Sequence, residues 1–220
     1  MNFEILSTGS KGNAVFLPGG ILVDCGVPFK RLVPVLRDIR LVLLTHIHGD
    51  HFNKATISRL ANERPSVRFC CREWMVVNLV LAGVPLQNID VLMEGEGNSY
   101  GKDTFSVESF TLFHDVPNCG WRIFYDETEA NEKVFYATDT GTLDGVEAKN
   151  YSLYLIEANH TVAEIEARFA DKASKGEFIY EERAAENHLS REQALDFLIN
   201  NGGPDSEFVF LHQHEEVQHA

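Results

Sequence analysis

The sequence lacks several features that define large classes of proteins. No stretch of its 220 residues approaches the roughly 20 consecutive apolar residues of a membrane-spanning helix, which excludes a helical membrane protein. Residues 1–5 carry neither a basic segment nor an apolar run, so we expect no secretory signal and a cytoplasmic location. There is no glycine-lysine phosphate loop, no dinucleotide fingerprint and no Ser-His-Asp signature. Nucleotide-driven and hydride chemistry are therefore not expected.

Cysteine and basic residues are both scarce. The four cysteines show no zinc-finger spacing, and we expect reduced thiols. The 19 basic residues against 33 acidic ones give a net charge of -14. A nucleic-acid enzyme normally offers a basic surface to phosphates, so this charge counts against a polynucleotide substrate. It does not exclude one, because bound divalent cations would reverse the sign of the charge locally.

The pattern of apolar runs and turn residues predicts one domain over residues 1–220 that mixes strands and helices. Strands are expected at 2–7, 14–17, 21–23, 41–44, 67–70, 104–113, 121–125, 134–137, 151–156 and 207–211. Helices are expected at 29–38, 54–63, 72–82, 162–173 and 191–200. Two further segments are predicted to be a loop, 95–101, and an acidic hairpin tip, 126–133.

Residues 45–51, Thr-His-Ile-His-Gly-Asp-His, carry the densest chemical signal and directly follow four apolar residues. This order predicts a buried strand that delivers a polar loop at its end. His46 and His48 alternate and therefore project to one side of an extended chain. The glycine that follows lets the chain turn and bring Asp50 and His51 close to them. Nitrogen and oxygen donors grouped this way suit zinc or a similar divalent ion, and two ions would fit.

A residue able to bind metal follows several predicted buried strands along the chain. His46, His114, Asp139 and His160 occupy such positions, and His188 lies at a predicted helix entrance. One isolated histidine is more often a structural residue than a ligand. Several at strand ends in one small domain are better explained by a single shared site.

A glycine-containing polar loop, residues 8–13, follows the first predicted strand. Its glycines allow close approach to an anion or to a neighbouring loop, and an ordinary hairpin turn is equally compatible with the sequence. The candidate substrate contacts in this loop are Ser10, Lys11 and Asn13. At the other end of the chain, His212 and His214 alternate after the last predicted strand, and we expect them to lie in a solvated tail.

Several longer motifs accompany the histidine loop. They are Ser-Thr-Gly-Ser-Lys-Gly-Asn, Leu-Val-Asp-Cys-Gly, Thr-His-Ile-His-Gly-Asp-His-Phe, Thr-Asp-Thr-Gly, Glu-Ala-Asn-His and His-Leu-Ser. The spacing of the histidines and aspartates resembles that of the metallo-β-lactamase superfamily. The whole set is similar to the bacterial YycJ/WalJ-type group of DNA exonucleases within it. Residues 156–159 also resemble the His-Glu-Ala-Thr stretch of ribonuclease Z.

This resemblance implies an α/β (α+β) fold, the four-layer αββα sandwich in which two mixed β-sheets are flanked by helices. It also implies a metal-dependent hydrolase, specifically a phosphodiesterase that acts on DNA as an exonuclease. The implied cofactors are two divalent ions, zinc or manganese, with iron also compatible with these donors. Carried over by position, the ligands are His46, His48 and His114 for the first metal, Asp50, His51 and His188 for the second, and Asp139 as the bridge.

The implied chemistry is attack of a metal-bridging hydroxide on phosphorus, since metal binding lowers the pKa of water to about 7. Asp50 and Asp139 would act as ligands, with Asp139 offsetting the charge of both ions. His160 is the candidate general acid, with Glu157 behind it, and a structural hydrogen bond is the alternative for His160. The candidates for orienting the imidazoles are Asp24 and Asp115.

Three functions remain open at this point. The first is a DNA exonuclease, whose partner is DNA or another phosphodiester and which needs neither a nucleotide cofactor nor a membrane. The second keeps the metals but acts on a small phosphodiester, a cyclic phosphate, a lactone or a thioester, which the acidic composition favours. The third is a non-catalytic binding module, which would require some of the ligands to be missing.

Overall fold

Two six-stranded β-sheets form the centre of the protein in the computed structural model, which describes residues 1–101, 104–126, 132–175 and 185–213. The first sheet has the order β1 (Glu4–Ser7), β2 (Ala14–Leu17), β3 (Ile21–Val23), β4 (Leu41–Leu43), β5 (Arg68–Cys71) and β6 (Ile89–Val91). The second contains β7 (Gly97–Tyr100), β8 (Phe105–Leu112), β9 (Asn118–Tyr125), β10 (Lys133–Ala137), β11 (Leu153–Glu157) and β12 (Glu207–Leu211), again in sequence order. The α-helices are α1 (Lys54–Glu63), α2 (Val76–Leu81), α3 (Val162–Lys175) and α4 (Arg191–Asn201).

Each sheet begins with antiparallel strands and ends with parallel ones. In the first sheet β1, β2 and β3 pair antiparallel, and β3 to β6 run parallel. In the second sheet β7 to β10 pair antiparallel, and β10 to β12 run parallel. Parallel neighbours deliver their carboxyl ends to the same edge of a sheet. Loops that follow β4, β10, β11 and β12 can therefore converge.

Three apolar cores lie between the layers of sheets and helices. The central core joins the inner faces of both sheets and includes Leu43 from one sheet and Trp121 and Tyr136 from the other, all fully buried. A second core lies between the first sheet and α1, and a third lies between the second sheet and α4. Because β3, β4 and β11 are covered on both faces, these central strands consist of nearly continuous apolar residues rather than alternating ones. The architecture is the expected αββα sandwich.

Most predicted elements agree with the structure, and three do not. The helix expected at 29–38 is a 3-10 turn, Phe29–Arg31, followed by further turns, because Pro34 lacks the N–H that a continuous helix would need at this position. The helix expected at 72–82 is divided into a 3-10 segment, Glu73–Met75, and α2. The loop expected at 95–101 contains an edge strand, β7, that pairs with β8. Most of the predicted hairpin tip, at 127–131, lies outside the described residues.

All four cysteines are free and buried, as predicted. Burial also raises the pKa of each thiol, which favours the neutral, unreactive form. Within the described part of the chain, none of the helices combines the length and the apolarity needed to cross a membrane.

Candidate metal centre

The candidate ligands lie where strands of both sheets end. His46 follows β4 in the first sheet, and in the second sheet His114 follows β8 and Asp139 follows β10. Glu157 is the last residue of β11, and His212 comes directly after β12. The predicted convergence of strand ends is therefore observed for His46, His114 and Asp139, and Glu157 and His212 join them.

Four overlapping groups of side chains place ligand atoms within 4.8 Å of one another. The groups are His46, His48 and His114; His46, His51 and Asp139; Asp50, His51 and His212; and Asp139, Glu157, His188 and His212. Asp139 belongs to two of the groups and is almost fully buried. Asp139 therefore lies within reach of donors from several groups, and its expected role as a bridge between two ions stays a prediction.

Each of three buried imidazoles uses one ring nitrogen to bind the protein and leaves the other facing the site. His46 Nδ1 shares a 3.0 Å hydrogen bond with the hydroxyl of the preceding threonine. His51 Nδ1 donates to Asp24 Oδ2 at 2.7 Å, and His212 Nδ1 donates to Glu157 Oε1 at 3.0 Å. This arrangement fixes the ring orientation and is typical of metal-binding histidines.

The remaining two histidines of the first group, His48 and His114, differ in which ring nitrogen contacts the protein. His114 Nδ1 lies 3.2 Å from the carbonyl oxygen of Asn187. His48 Nε2 lies 3.4 Å from Asp115 Oδ1, and its Nδ1 lies 3.3 Å from His114 Nε2. Asp24 and Asp115, the carboxylates predicted to orient imidazoles, do contact them.

Two buried imidazole nitrogens at the centre of this cluster, His46 Nε2 and His212 Nε2, have no hydrogen-bond partner among the residues that the structure describes. Beside them, Asp139 Oδ2 lies 2.9 Å from His51 Nε2. Leaving a buried polar atom unpaired costs about 1–3 kcal/mol, so such atoms need an explanation. Imidazole nitrogens and a carboxylate oxygen are the donors that zinc and related divalent ions accept. The residues present therefore fit a divalent metal site.

The electrostatics of the metal-free cluster also suit cation binding. Burial lowers the pKa of His46 well below 6.5, helped by the neighbouring His51, which leaves a neutral imidazole. Burial alone would raise the pKa of Asp139, but His51 and His212 hold it well below 3.8. A charged, buried carboxylate surrounded by imidazoles is prepared to receive a metal ion.

The backbone at the site is held in unusual conformations. Asp24, Asp139 and His212 all have positive φ values, of 61°, 55° and 50°. Such values are uncommon outside glycine and persist where the surroundings enforce them, frequently at functional sites. Gly26 has no room for a side chain, because a Cβ there would lie 1.7 Å from the carbonyl oxygen of Asp50. The chain at Gly26 thus packs directly against the histidine loop.

Residues 20–212 match the model of the beta-lactamase superfamily domain. The chain belongs to the beta-lactamase superfamily. Comparison with curated protein sequences yields no significant match.

The solved structures similar to this superfamily member share its fold at low identity. The metallo-β-lactamase-fold protein YhfI from Bacillus subtilis has a TM-score of 0.72 and 16% identity, over 98% of this chain and 87% of that one. Human tRNase Z, short form, has a TM-score of 0.69 and 18% identity, over 98% and 93%. A diphosphatase from the PhnP family has a TM-score of 0.62 and 12% identity, over 96% and 86%. The chain therefore has the metallo-β-lactamase hydrolase fold with a candidate metal site.

His188 occupies a different position from the other histidines of this superfamily member. Its Nδ1 donates to Glu157 Oε1 at 2.6 Å and lies 3.7 Å from Asp139 Oδ1. The ring is one-fifth exposed, and its centroid lies 5.5 Å from that of His114 and 5.2 Å from that of His212. His188 thus lies partly exposed between His114 and His212, and its Nδ1 contacts Glu157.

Glu157 connects this histidine to the buried part of the site. It is fully buried and also accepts hydrogen bonds from the main-chain N–H groups of Thr140 and Leu189, at 3.1 and 3.3 Å. Burial would raise its pKa, but the bonds from His188 and His212 hold the pKa below 4.5. One ionised carboxylate therefore orients two imidazoles.

The remaining predicted site residues are the candidate general acid, His160, and the candidate substrate contacts of the loop 8–13. His160 belongs to none of the four groups formed by the described residues, and burial lowers its pKa below 6.5. Ser10 and Lys11 are exposed on the surface loop, so their predicted substrate contact stays a prediction. Asn13 is buried, and its Nδ2 lies 2.8 Å from His51 Nε2.

His212 is the residue that the sequence analysis placed wrongly. It was expected in a solvated tail, but its side chain is only 7% exposed and its Nε2 lies 3.6 Å from Asp50 Oδ2. The available signal was its position after a buried strand, the same signal that indicated His46 and His114. His214, assigned to the same tail, lies outside the described residues.

Proposed function

We propose that this chain is a dinuclear metal-dependent phosphodiesterase and that its substrate is DNA, cleaved from an end. The observation that carries the proposal is the position of His188, a partly exposed imidazole that Glu157 holds between His114 and His212. The proposed ligands are His46, His48 and His114 for the first ion, Asp50, His51 and His212 for the second, and Asp139 between them. Bound there, two divalent ions would lower the pKa of water and stabilise charge on phosphate oxygens.

This ligand set replaces His188 with His212 in the second group. Both imidazoles use Nδ1 to contact Glu157, but His212 is the one that lies with Asp50 and His51 in a single group, whereas the His188 ring is one-fifth exposed. Burial alone would lower the pKa of His188, but the bond to Glu157 raises it above 6.5. His188 is thus the proposed general acid, held by Glu157, in place of His160.

The need for an acid counts against one of the candidate substrates, the thioester. An alkoxide is a poor leaving group and gains from protonation as its bond to phosphorus breaks, whereas a thiolate leaves without an acid. The names of two structural neighbours, a tRNase and a diphosphatase, are consistent with phosphate chemistry. The group-specific sequence motifs favour DNA, and two bound cations would offset the acidic surface locally.

The first experiment tests the substrate. Protein loaded separately with zinc and with manganese would be incubated with end-labelled linear duplex DNA, closed circular DNA and bis-p-nitrophenyl phosphate. We expect the linear DNA to shorten from its ends while the circle survives, and the variant Asp139→Asn to be inactive. Cleavage of the small diester with both DNAs intact would replace the exonuclease proposal by a small-substrate phosphodiesterase.

The second experiment tests the role of His188. p-Nitrophenolate leaves without protonation, whereas a dinucleotide releases an alkoxide. We therefore expect His188→Asn to reduce dinucleotide cleavage by about 10²–10⁴-fold, with a much smaller effect on bis-p-nitrophenyl phosphate and unchanged metal content. His160→Asn is the matched control. Equal losses on both substrates together with loss of one metal equivalent would make His188 a ligand instead.

A further inference from the structure

The loop of residues 8–13 joins β1 to β2 in the first sheet and forms a hydrogen bond to the residue that follows β12 in the second sheet. The main-chain N–H of His212 donates to Thr8 Oγ1 at 2.8 Å, across 204 positions of sequence. On its other side, the carbonyl oxygen of His212 accepts from Asn159 Nδ2 at 3.0 Å. These two bonds hold His212 in its left-handed conformation, with a φ of 50°.

The last residue of the same loop contacts the histidine loop. Asn13 Nδ2 donates to the main-chain oxygen of Asp50 at 3.2 Å and lies 2.8 Å from His51 Nε2. The Asn13 amide is itself fixed, because its Oδ1 accepts from the N–H of Gly9 at 2.8 Å. The main-chain N–H of Asn13 also donates to the oxygen of Asp50 at 2.6 Å.

We propose that Thr8 and Asn13 are positioning residues that set the affinity of the second ligand group, Asp50, His51 and His212, for its metal ion. The proposal gives Asn13 a role different from substrate contact, which its burial disfavours. It rests on the metal site of the proposed function but not on the identity of the substrate.

The two ligand groups are supported from different parts of the chain. Thr8 and Asn13 hold the main chain of two residues of the second group, His212 and Asp50, and Asn13 Nδ2 also lies beside His51 Nε2. The contacts described for the first group come from other residues: Thr45, which also reaches His51, contacts His46, Asp115 contacts His48, and Asn187 contacts His114. Disturbing the loop should therefore weaken one metal site and leave the other intact.

The test measures metal binding rather than catalysis. Metal-free protein would be titrated with zinc against a competing chelator, and the bound metal counted after dialysis. We expect two equivalents for the unchanged protein. In Thr8→Val, which keeps the shape of the side chain but removes the acceptor, the second equivalent should bind about 10–100-fold more weakly. Thr8→Ser should restore it, and Asn13→Ala should also weaken only the second equivalent.

The controls distinguish this role from a general structural one. Thr8 is exposed, so its replacement should not prevent folding. Thr104→Val makes the same chemical change at the start of β8, about 25 Å along the strand from its site end, and should leave both equivalents unchanged. Unchanged affinity in Thr8→Val and Asn13→Ala, or an equal loss at both sites, would overturn the proposal. Two tight equivalents without phosphodiester cleavage would instead contradict the proposed function alone.

Discussion

The metal-free protein should lose stability as the pH rises from 6.5 to 8.5. Burial of His212 opposes its charge, but the carboxylates of Asp139, Asp50 and Glu157 raise its pKa from 6.5 to about 10. Stability gained from this proton is fully present below 6.5, the pKa in the unfolded chain, and is lost as the pH rises through about 10. Linkage then gives a loss of about 2 kcal/mol in the free energy of unfolding between pH 6.5 and 8.5.

The assay is urea denaturation of chelator-treated protein at half-unit steps of pH over this interval. The variant His212→Asn serves as the reference, since asparagine does not titrate and tolerates a left-handed backbone. Cysteines that ionise only in the unfolded chain add a further loss, but this loss is common to both proteins. The difference between the two curves should therefore change by about 2 kcal/mol across the interval.

Parallel curves for the two proteins would refute this reasoning, because they would show that His212 is not protonated within a carboxylate cluster.

The affinity for metal should depend on pH in the opposite direction from the stability. Ligating imidazoles must lose their protons to bind a metal, so the affinity for zinc should rise over the same interval of pH. An affinity that falls with pH would contradict the assignment of buried histidines as ligands.

Three further substitutions test the surroundings of the site. Asp24→Asn removes the charged partner of His51 Nδ1 and should weaken zinc binding about 10–100-fold in a chelator competition; wild-type affinity would mean that the carboxylate is not needed to orient the ring. Gly26→Ala places a Cβ 1.7 Å from the oxygen of Asp50, so the free energy of unfolding measured in urea should fall by about 2–3 kcal/mol and metal binding should be lost. Unchanged stability and metal binding would show that the loop can move aside. Ser190→Ala removes the side-chain cap of α4 and should cost about 1 kcal/mol in the same assay without changing the metal content, which a loss of metal would disprove.

Local signals predicted much of the fold. The bounds of α1 and of β2, β3 and β12 agree with the expected ones, because periodicity and turn residues act over a few positions. The capping box at the start of α4 was also expected and is present. The prediction fails at 29–38, where apolar spacing suggested a helix and the internal proline prevents one.

Local patterns predict much of the composition of the site, since donors suited to a divalent ion follow buried strands at His46, His114 and Asp139. Which donors meet depends on how distant segments pack. His212 joins the cluster because β12 pairs in parallel with β11, and Thr8 reaches it across 204 positions. His188 meets Glu157 rather than standing free. Such pairings depend on how the two sheets pack, and no local pattern of residues encodes that distance.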